Sequence, residues 1–196
     1  MKTLYKEFHS SSEVNIWLDK FKSHFPSDND TDKVFLQAIN LYTGHTNRIF
    51  NDYLRHDIKL NLESEIDNSI YPCMAKMIEK LPTYQIPDNI IVYRYINAGL
   101  LKEICPSYPP TKGMIIQDKG FMSTTLIRKS VNSYRAGGNQ NILLVISVPS
   151  GTKGTYVGHL KDSLSEYEVI LAPNTKLRID NKIPFFYHYF QCTVVN

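Results

Sequence analysis

The chain predicts an α+β fold, a helical N-terminal part followed by a β-rich core. Three observations carry this. Up to about residue 81 apolar residues recur at helical spacing, as in Val34, Phe35, Ala38, Ile39, Leu41 and Tyr42. Beyond Ile86 the apolar runs turn short and β-branched, bounded by turn residues; residues 141–149 (Asn-Ile-Leu-Leu-Val-Ile-Ser-Val-Pro) are the clearest buried strand. One pattern follows the other along the chain, which is the α+β arrangement.

Each element has its local cause. Ser10-Ser11-Ser12-Glu13 is a capping-type start ahead of Val14, Ile16, Trp17, Leu18 and Phe21. Pro26 and the polar residues 27–30 end that helix. Thr31 or Asp32 can cap a second helix, which Gly44 interrupts and residues 47–55 resume. A third helical piece is expected over about 62–81, with a break or restart at Pro72 and a stop at Pro82. Strands are expected at 90–96, 119–126, 141–149, 166–172, 176–183 and 185–195. Residues 106–112, 128–140 and 151–165 read as loops, the last with short extended pieces. Without a linker, repeat or low-complexity segment, the chain reads as one domain over 1–196, helical to about 85 and β-rich from 86.

Composition excludes several classes. The charge balance, Lys+Arg 22 against Asp+Glu 19, gives +3 with no basic run, too little to argue for nucleic acid. The apolar share of 42% and charged share of 21% suit a globular core and not a disordered chain. The three cysteines, Cys73, Cys105 and Cys192, form no C-x-x-C and are odd in number, so neither a zinc site nor a disulfide framework is expected. The six histidines show no metal-ligand spacing, and no metal is expected. Absence of an apolar run near 18 residues argues against a membrane span. The first residues lack the apolar core of a signal peptide, so the protein works where it is made, leaves by another route, or is an excised domain.

Three features carry chemistry. Ser165-Glu166-Tyr167-Glu168-Val169-Ile170-Leu171-Ala172 pairs two carboxylates with a strand pattern. In an extended segment Glu166 and Glu168 would share a face, where like charges are unfavourable unless something uses them. The plain alternative is a polar edge. Arg94 stands in an otherwise apolar strand, where a salt-bridge partner is the plain alternative. Ser123-Thr124-Thr125 is a hydroxyl row, and threonine is an ordinary strand residue.

Taken in this order, Tyr93-Arg94, Ser123-Thr124-Thr125 and Glu166-Tyr167-Glu168 resemble the arginine-serine-glutamate branch of the mono-ADP-ribosyltransferase toxins. Thr125 departs from that branch's second serine but keeps a hydroxyl. The flanks are similar to the enzymatic components of clostridial and bacillary binary toxins. They comprise Gly154-Thr155-Tyr156-Val157, Lys176-Leu177-Arg178-Ile179, and the helical Ala38-Ile39-Asn40-x-Tyr42-Thr43 with Asn51-x-Tyr53-Leu54-Arg55. The likeness covers roughly 32–195.

The resemblance implies an ADP-ribosyltransferase fold, N-terminal helices packed on a two-sheet β core with an NAD cleft. It implies NAD as substrate and no metal. Arg94 would pair with the cofactor's phosphates, Ser123 would orient Glu168, and Glu168 would hold the nicotinamide ribose beside the oxocarbenium ion. Glu166 would face the incoming nucleophile, an arginine of a target protein. Tyr42 and Asn51 match positions that contact the nicotinamide half, though a core aromatic is an equal alternative for Tyr42. In the phosphate-nicotinamide loop Arg128 or Arg135 would be the phosphate ligand and Tyr134 a stacking aromatic. His159, Leu160, Lys161 and Leu164 would form the exposed target-recognition set. By the same analogy the target is actin or another host protein, reached after secretion or delivery into a host cell and with a delivery component as a further partner. Two other classes stand beside this reading. One is a non-catalytic interaction module on the same fold. The other is a glycoside hydrolase using the Glu pair, whose Cα atoms would lie about 6.6–6.8 Å apart in an extended strand.

Overall fold

The computed structural model describes residues 3–27, 32–56, 58, 65–130, 141–160, 167–182 and 189–195. Helix α1 (Ser11–Phe21) is capped by Ser10, whose side chain accepts from the Glu13 N–H, while Glu13 reaches back to the His9 N–H at 2.7 Å. Its Val14 and Trp17 are buried. Helix α2 (Lys33–Leu41) is capped by Asp32, and of the two candidate caps this is the one the structure uses.

The interruption expected at Gly44 is a change of helix type and not a gap. A π-helical turn, Tyr42–Thr46, carries the chain straight into α3 (Asn47–His56). The Thr43 and Thr46 hydroxyls donate to the carbonyls of Ile39 and Leu41, which supports the widened turn; such turns concentrate at functional sites. Pro72 does not break the third helix, since α4 runs through it from Glu65 to Lys80.

Eight strands follow: β1 (Ile90–Ile96), β2 (Ile115–Asp118), β3 (Met122–Thr125), β4 (Ile142–Val148), β5 (Gly154–Tyr156), β6 (Glu168–Leu171), β7 (Thr175–Lys182) and β8 (Tyr189–Val195). A short helix, α5 (Ala98–Ile104), lies after β1 and was not foreseen; Asn97 caps it by accepting from the Leu100 N–H at 2.7 Å. β2 was also missed, and the strand expected over 119–126 is confined to β3. Asp118 and Gly120 make a turn there, the Gly120 N–H donating to Asp118 Oδ1 at 2.9 Å.

The expected two-sheet core is hydrogen-bonded as one sheet in the order β2-β7-β8-β4-β1-β3-β6-β5. Its narrowest join is β1 to β3, with the single register pair Tyr93↔Thr125. The two halves nevertheless pack face to face. One cluster holds Val92, Ile116, Leu144, Leu177 and Phe190 from one half together with Met122, Val169 and Leu171 from the other. A second cluster fastens the helical layer to the outer face of β3 and β6 through Phe35, Ile39, Tyr42, Phe50 and Met77 against Phe121 and Ile170. The sheet curls, and the thin join between its halves is left to build a site.

Candidate active site

At that join a cleft of about 740 Å³ opens, a size suited to a small-molecule ligand. α3 forms one wall with Asn47, Asn51 and Arg55; α5 forms the other with Gly99, Leu100 and Glu103; β1, β3 and β6 supply Arg94, Ser123 and Glu168. The arrangement follows from register. Thr125 pairs with Glu168 and Ser123 with Ile170, so Ser123, Thr125 and Glu168 share one face of the sheet. Ser123 Oγ donates to Glu168 Oε1. Glu168 is only 6% exposed. The neighbouring hydroxyls serve the fold: Thr124 Oγ1 donates to the Val169 carbonyl at 2.8 Å, and Thr125 Oγ1 accepts from the Ile127 N–H.

The paired-carboxylate argument needs correction at the backbone. Tyr167 has φ +46°, so the strand starts at Glu168 and not at 166. The Tyr167 carbonyl accepts from the Leu126 N–H at 3.0 Å, and the Glu168 carbonyl accepts from the Val157 N–H at 2.9 Å. These bonds hold a conformation that L residues rarely adopt outside functional sites. A shared face for Glu166 and Glu168 therefore cannot be derived from strand alternation. Glu166 itself lies outside the described residues, as do Tyr134, Arg135, Lys161 and Leu164.

Arg94 reaches the cleft, and it also has the salt-bridge partner that sequence offered as its plain alternative. Its Nη1 donates to Asp118 Oδ2 at 3.3 Å. Arg55 joins the same carboxylate with a two-pronged grip, Nε to Oδ1 at 2.8 Å and Nη2 to Oδ2 at 3.0 Å. Burial works against the charge of Arg55, but the hydrogen bond and charge of Asp118 outweigh it and hold its pKa above the ordinary value. Sequence reasoning assigned no role to Asp118 and quoted Arg55 only inside a longer motif. The usable signal was a carboxylate closing the apolar run Met114-Ile115-Ile116 just ahead of Lys119-Gly120.

Tyr42 lines the cleft but is 1% exposed and packs edge-on against Phe121. Its hydroxyl donates to the Phe121 carbonyl and accepts from Asn51 Nδ2, both at 3.2 Å, while Asn51 Oδ1 accepts from the Phe121 N–H at 2.8 Å. The three residues close a ring of hydrogen bonds. Burial pushes the Tyr42 phenol far up, so it stays neutral. Its hydroxyl is committed to the fold, which favours the core alternative.

Arg128 is not among the residues lining the cleft; its guanidinium lies over the Tyr189 ring at 5.6 Å. His159 and Leu160 are not the exposed recognition side chains expected. His159 stacks on Tyr156 with ring centres 5.5 Å apart and meets the Pro26 carbonyl, and Leu160 packs on the helical-layer cluster. Gly158 is what permits this tuck, because a Cβ there would lie 2.5 Å from the Tyr156 hydroxyl.

Known proteins share this architecture. The chain is 28% identical to the Photox toxin of Photorhabdus laumondii over 171 residues, 77% of this chain and 40% of that protein. It is 27% identical to the mono(ADP-ribosyl)transferase SpvB of Salmonella typhimurium over 166 residues, 74% of this chain and 27% of that protein. The chain thus spans well under half the length of these relatives. C3stau2 of S. aureus, solved with NAD, superposes with a TM-score of 0.73 at 19% identity, covering 99% of this chain and 100% of its own, which shows the fold. The model of the ADP-ribosyltransferase exoenzymes matches residues 14–185, and the chain belongs to that family.

Proposed function

We propose that the chain is a mono-ADP-ribosyltransferase domain that moves ADP-ribose from NAD to an arginine of a target protein, with slow NAD hydrolysis when no acceptor is present. The donor, NAD, is the substrate of the family's enzymes. The observation that supports the reading best is the part-buried Ser123–Glu168 contact lining an arginine-bearing cleft. A carboxylate fixed by a hydroxyl cannot rotate away when charge develops, and positive charge is what this reaction develops. The bond from ribose C1 to nicotinamide breaks, its electron pair leaves with the pyridinium nitrogen, and the sugar becomes an oxocarbenium ion. Glu168 stabilises that cation by holding the ribose hydroxyl. Arg94 holds the diphosphate, for which a guanidinium fork is suited.

A guanidinium acceptor is protonated at physiological pH and must lose a proton to attack C1. Glu166, two residues ahead of Glu168 in the sequence, is the base assigned to that proton. The activity is assigned to one catalytic domain of a toxin, with actin or another host protein as acceptor. The test is nicotinamide release from NAD with and without agmatine, an arginine analogue. Agmatine should accelerate release. Glu168→Gln should abolish both reactions, whereas Glu166→Gln should keep the slow hydrolysis and lose the transfer. Transfer by both variants at the parent rate would overturn these roles, and modification of asparagine or cysteine would overturn arginine as acceptor.

A further inference from the structure

We propose that Asp118 is a positioning residue for the NAD diphosphate, acting through Arg94 and Arg55 while touching no substrate itself. The inference rests on the transferase reading above. Asp118 is 1% exposed and is not among the residues that line the cleft, yet both arginines it holds do line it. It closes β2 at the turn into β3, so one side chain ties β2, β1 and α3 together at the join of the sheet. Four N–H groups converge on its two oxygens. Oδ1 takes Arg55 Nε and Gly120 N, and Oδ2 takes Arg55 Nη2 and Arg94 Nη1.

The charge count makes this more than a brace. One carboxylate faces two guanidiniums, so the trio itself carries +1; Glu103, Asp52 and Glu168 also line the cleft, and the charge of Glu103 acts on Arg55. A buried pair balanced for stability would cancel. Each fork also keeps N–H donors beyond those Asp118 takes, since a guanidinium carries five. Such an arrangement fixes two forks at one spacing without neutralising them, which is what recognition of a diphosphate needs.

Asp118→Asn preserves shape and tests the point. Its amide oxygen can still accept at the Oδ1 position, but its NH₂ group then faces Arg55 Nη2 and Arg94 Nη1, donor against donor. Both forks must swing away. Three measurements on the parent and the variant separate positioning from bracing: ADP-ribose affinity by calorimetry, adenosine affinity by NMR shift titration, and KM and kcat for nicotinamide release. The expected result is ADP-ribose binding and KM for NAD weakened about tenfold or more, from the loss of charge-assisted hydrogen bonds. Adenosine binding and kcat should change less than about threefold. Asp118→Glu keeps the charge but displaces both forks by one methylene and should show the same selective loss, so the test survives if Asp118→Asn folds poorly. Equal weakening of adenosine and ADP-ribose, or unchanged ADP-ribose binding, overturns the proposal. A parent protein that binds ADP-ribose but releases no nicotinamide from NAD overturns the transferase reading instead and leaves the diphosphate result to be judged by binding alone.

Discussion

Replacing Tyr42 with phenylalanine separates a structural hydroxyl from a substrate-binding one. The Tyr42 oxygen makes two hydrogen bonds, to the Phe121 carbonyl and from Asn51 Nδ2. The side chain is 1% exposed and Asn51 7% exposed, so water has little access to either partner. Tyr42→Phe keeps the ring and its edge contact with Phe121 but leaves one carbonyl and one amide hydrogen unpaired. Each buried unpaired group costs about 1–3 kcal/mol. The two together should cost about 2–4 kcal/mol once the partners relax, which lowers Tm by roughly 5–15 °C in a domain of this size. Nicotinamide release at 20 °C, well below the transition, should retain most of its kcat. The checks are a calorimetric melt and steady-state kinetics on the same preparation. A variant that melts within a degree of the parent but has lost NAD turnover would refute the reasoning and make the hydroxyl a substrate contact.

Other consequences follow from the same contacts. Gly120→Ala should destabilise the domain and impair NAD turnover together, because its Cβ would meet Asn51 Oδ1 at 2.7 Å and Arg55 Nε at 3.2 Å; circular-dichroism melts and KM for NAD read both effects. Ser123→Ala should lower kcat about tenfold or more by freeing Glu168 to rotate, with Tm little changed, as checked by nicotinamide release beside a thermal melt. Asp32 gives a pH signature. Partial burial pushes its carboxyl up, but the hydrogen bond from Lys76, the Phe35 N–H and the charges of Lys76 and Lys80 outweigh this and hold it below the usual carboxylate value. A depressed folded-state pKa contributes stability that is present above the unfolded value and is lost as pH falls through the folded one. Asp32→Asn keeps the helix cap and removes only the charge, so its Tm should lie below the parent's at pH 7 and converge with it as pH falls through the lowered folded-state pKa.

What could be read from sequence, and what could not, divides by the range of the interaction. Helical stripes and buried strands are local patterns, so the α+β order and the burial of Phe35, Ile39, Ile146 and Val169 were legible. Arg94, Ser123 and Glu168 were singled out because, taken together and in order, their motifs resemble those of a known toxin family, each being weak alone; the sheet register brings Ser123 and Glu168 onto one face. Asp118 was invisible by the same logic. An aspartate before Lys-Gly looks like any turn, and its meaning comes only from Arg55, 63 residues earlier, and Arg94, 24 residues earlier. Tyr42 stayed open between ligand and core, since helical spacing cannot say whether a buried phenol faces a ligand or a carbonyl 79 residues away.

The pair of glutamates shows most clearly why alternation fails near chemistry. Two-residue periodicity holds only while φ stays extended, and Tyr167 at +46° breaks it between the two carboxylates. Glu168 is locked into the ladder by its pairing with Thr125 and by Ser123, which suits the proposed role of meeting a developing cation without moving. The positive-φ Tyr167 starts the strand at the next residue, so the Glu168 carboxylate belongs to the rigid sheet from its first position.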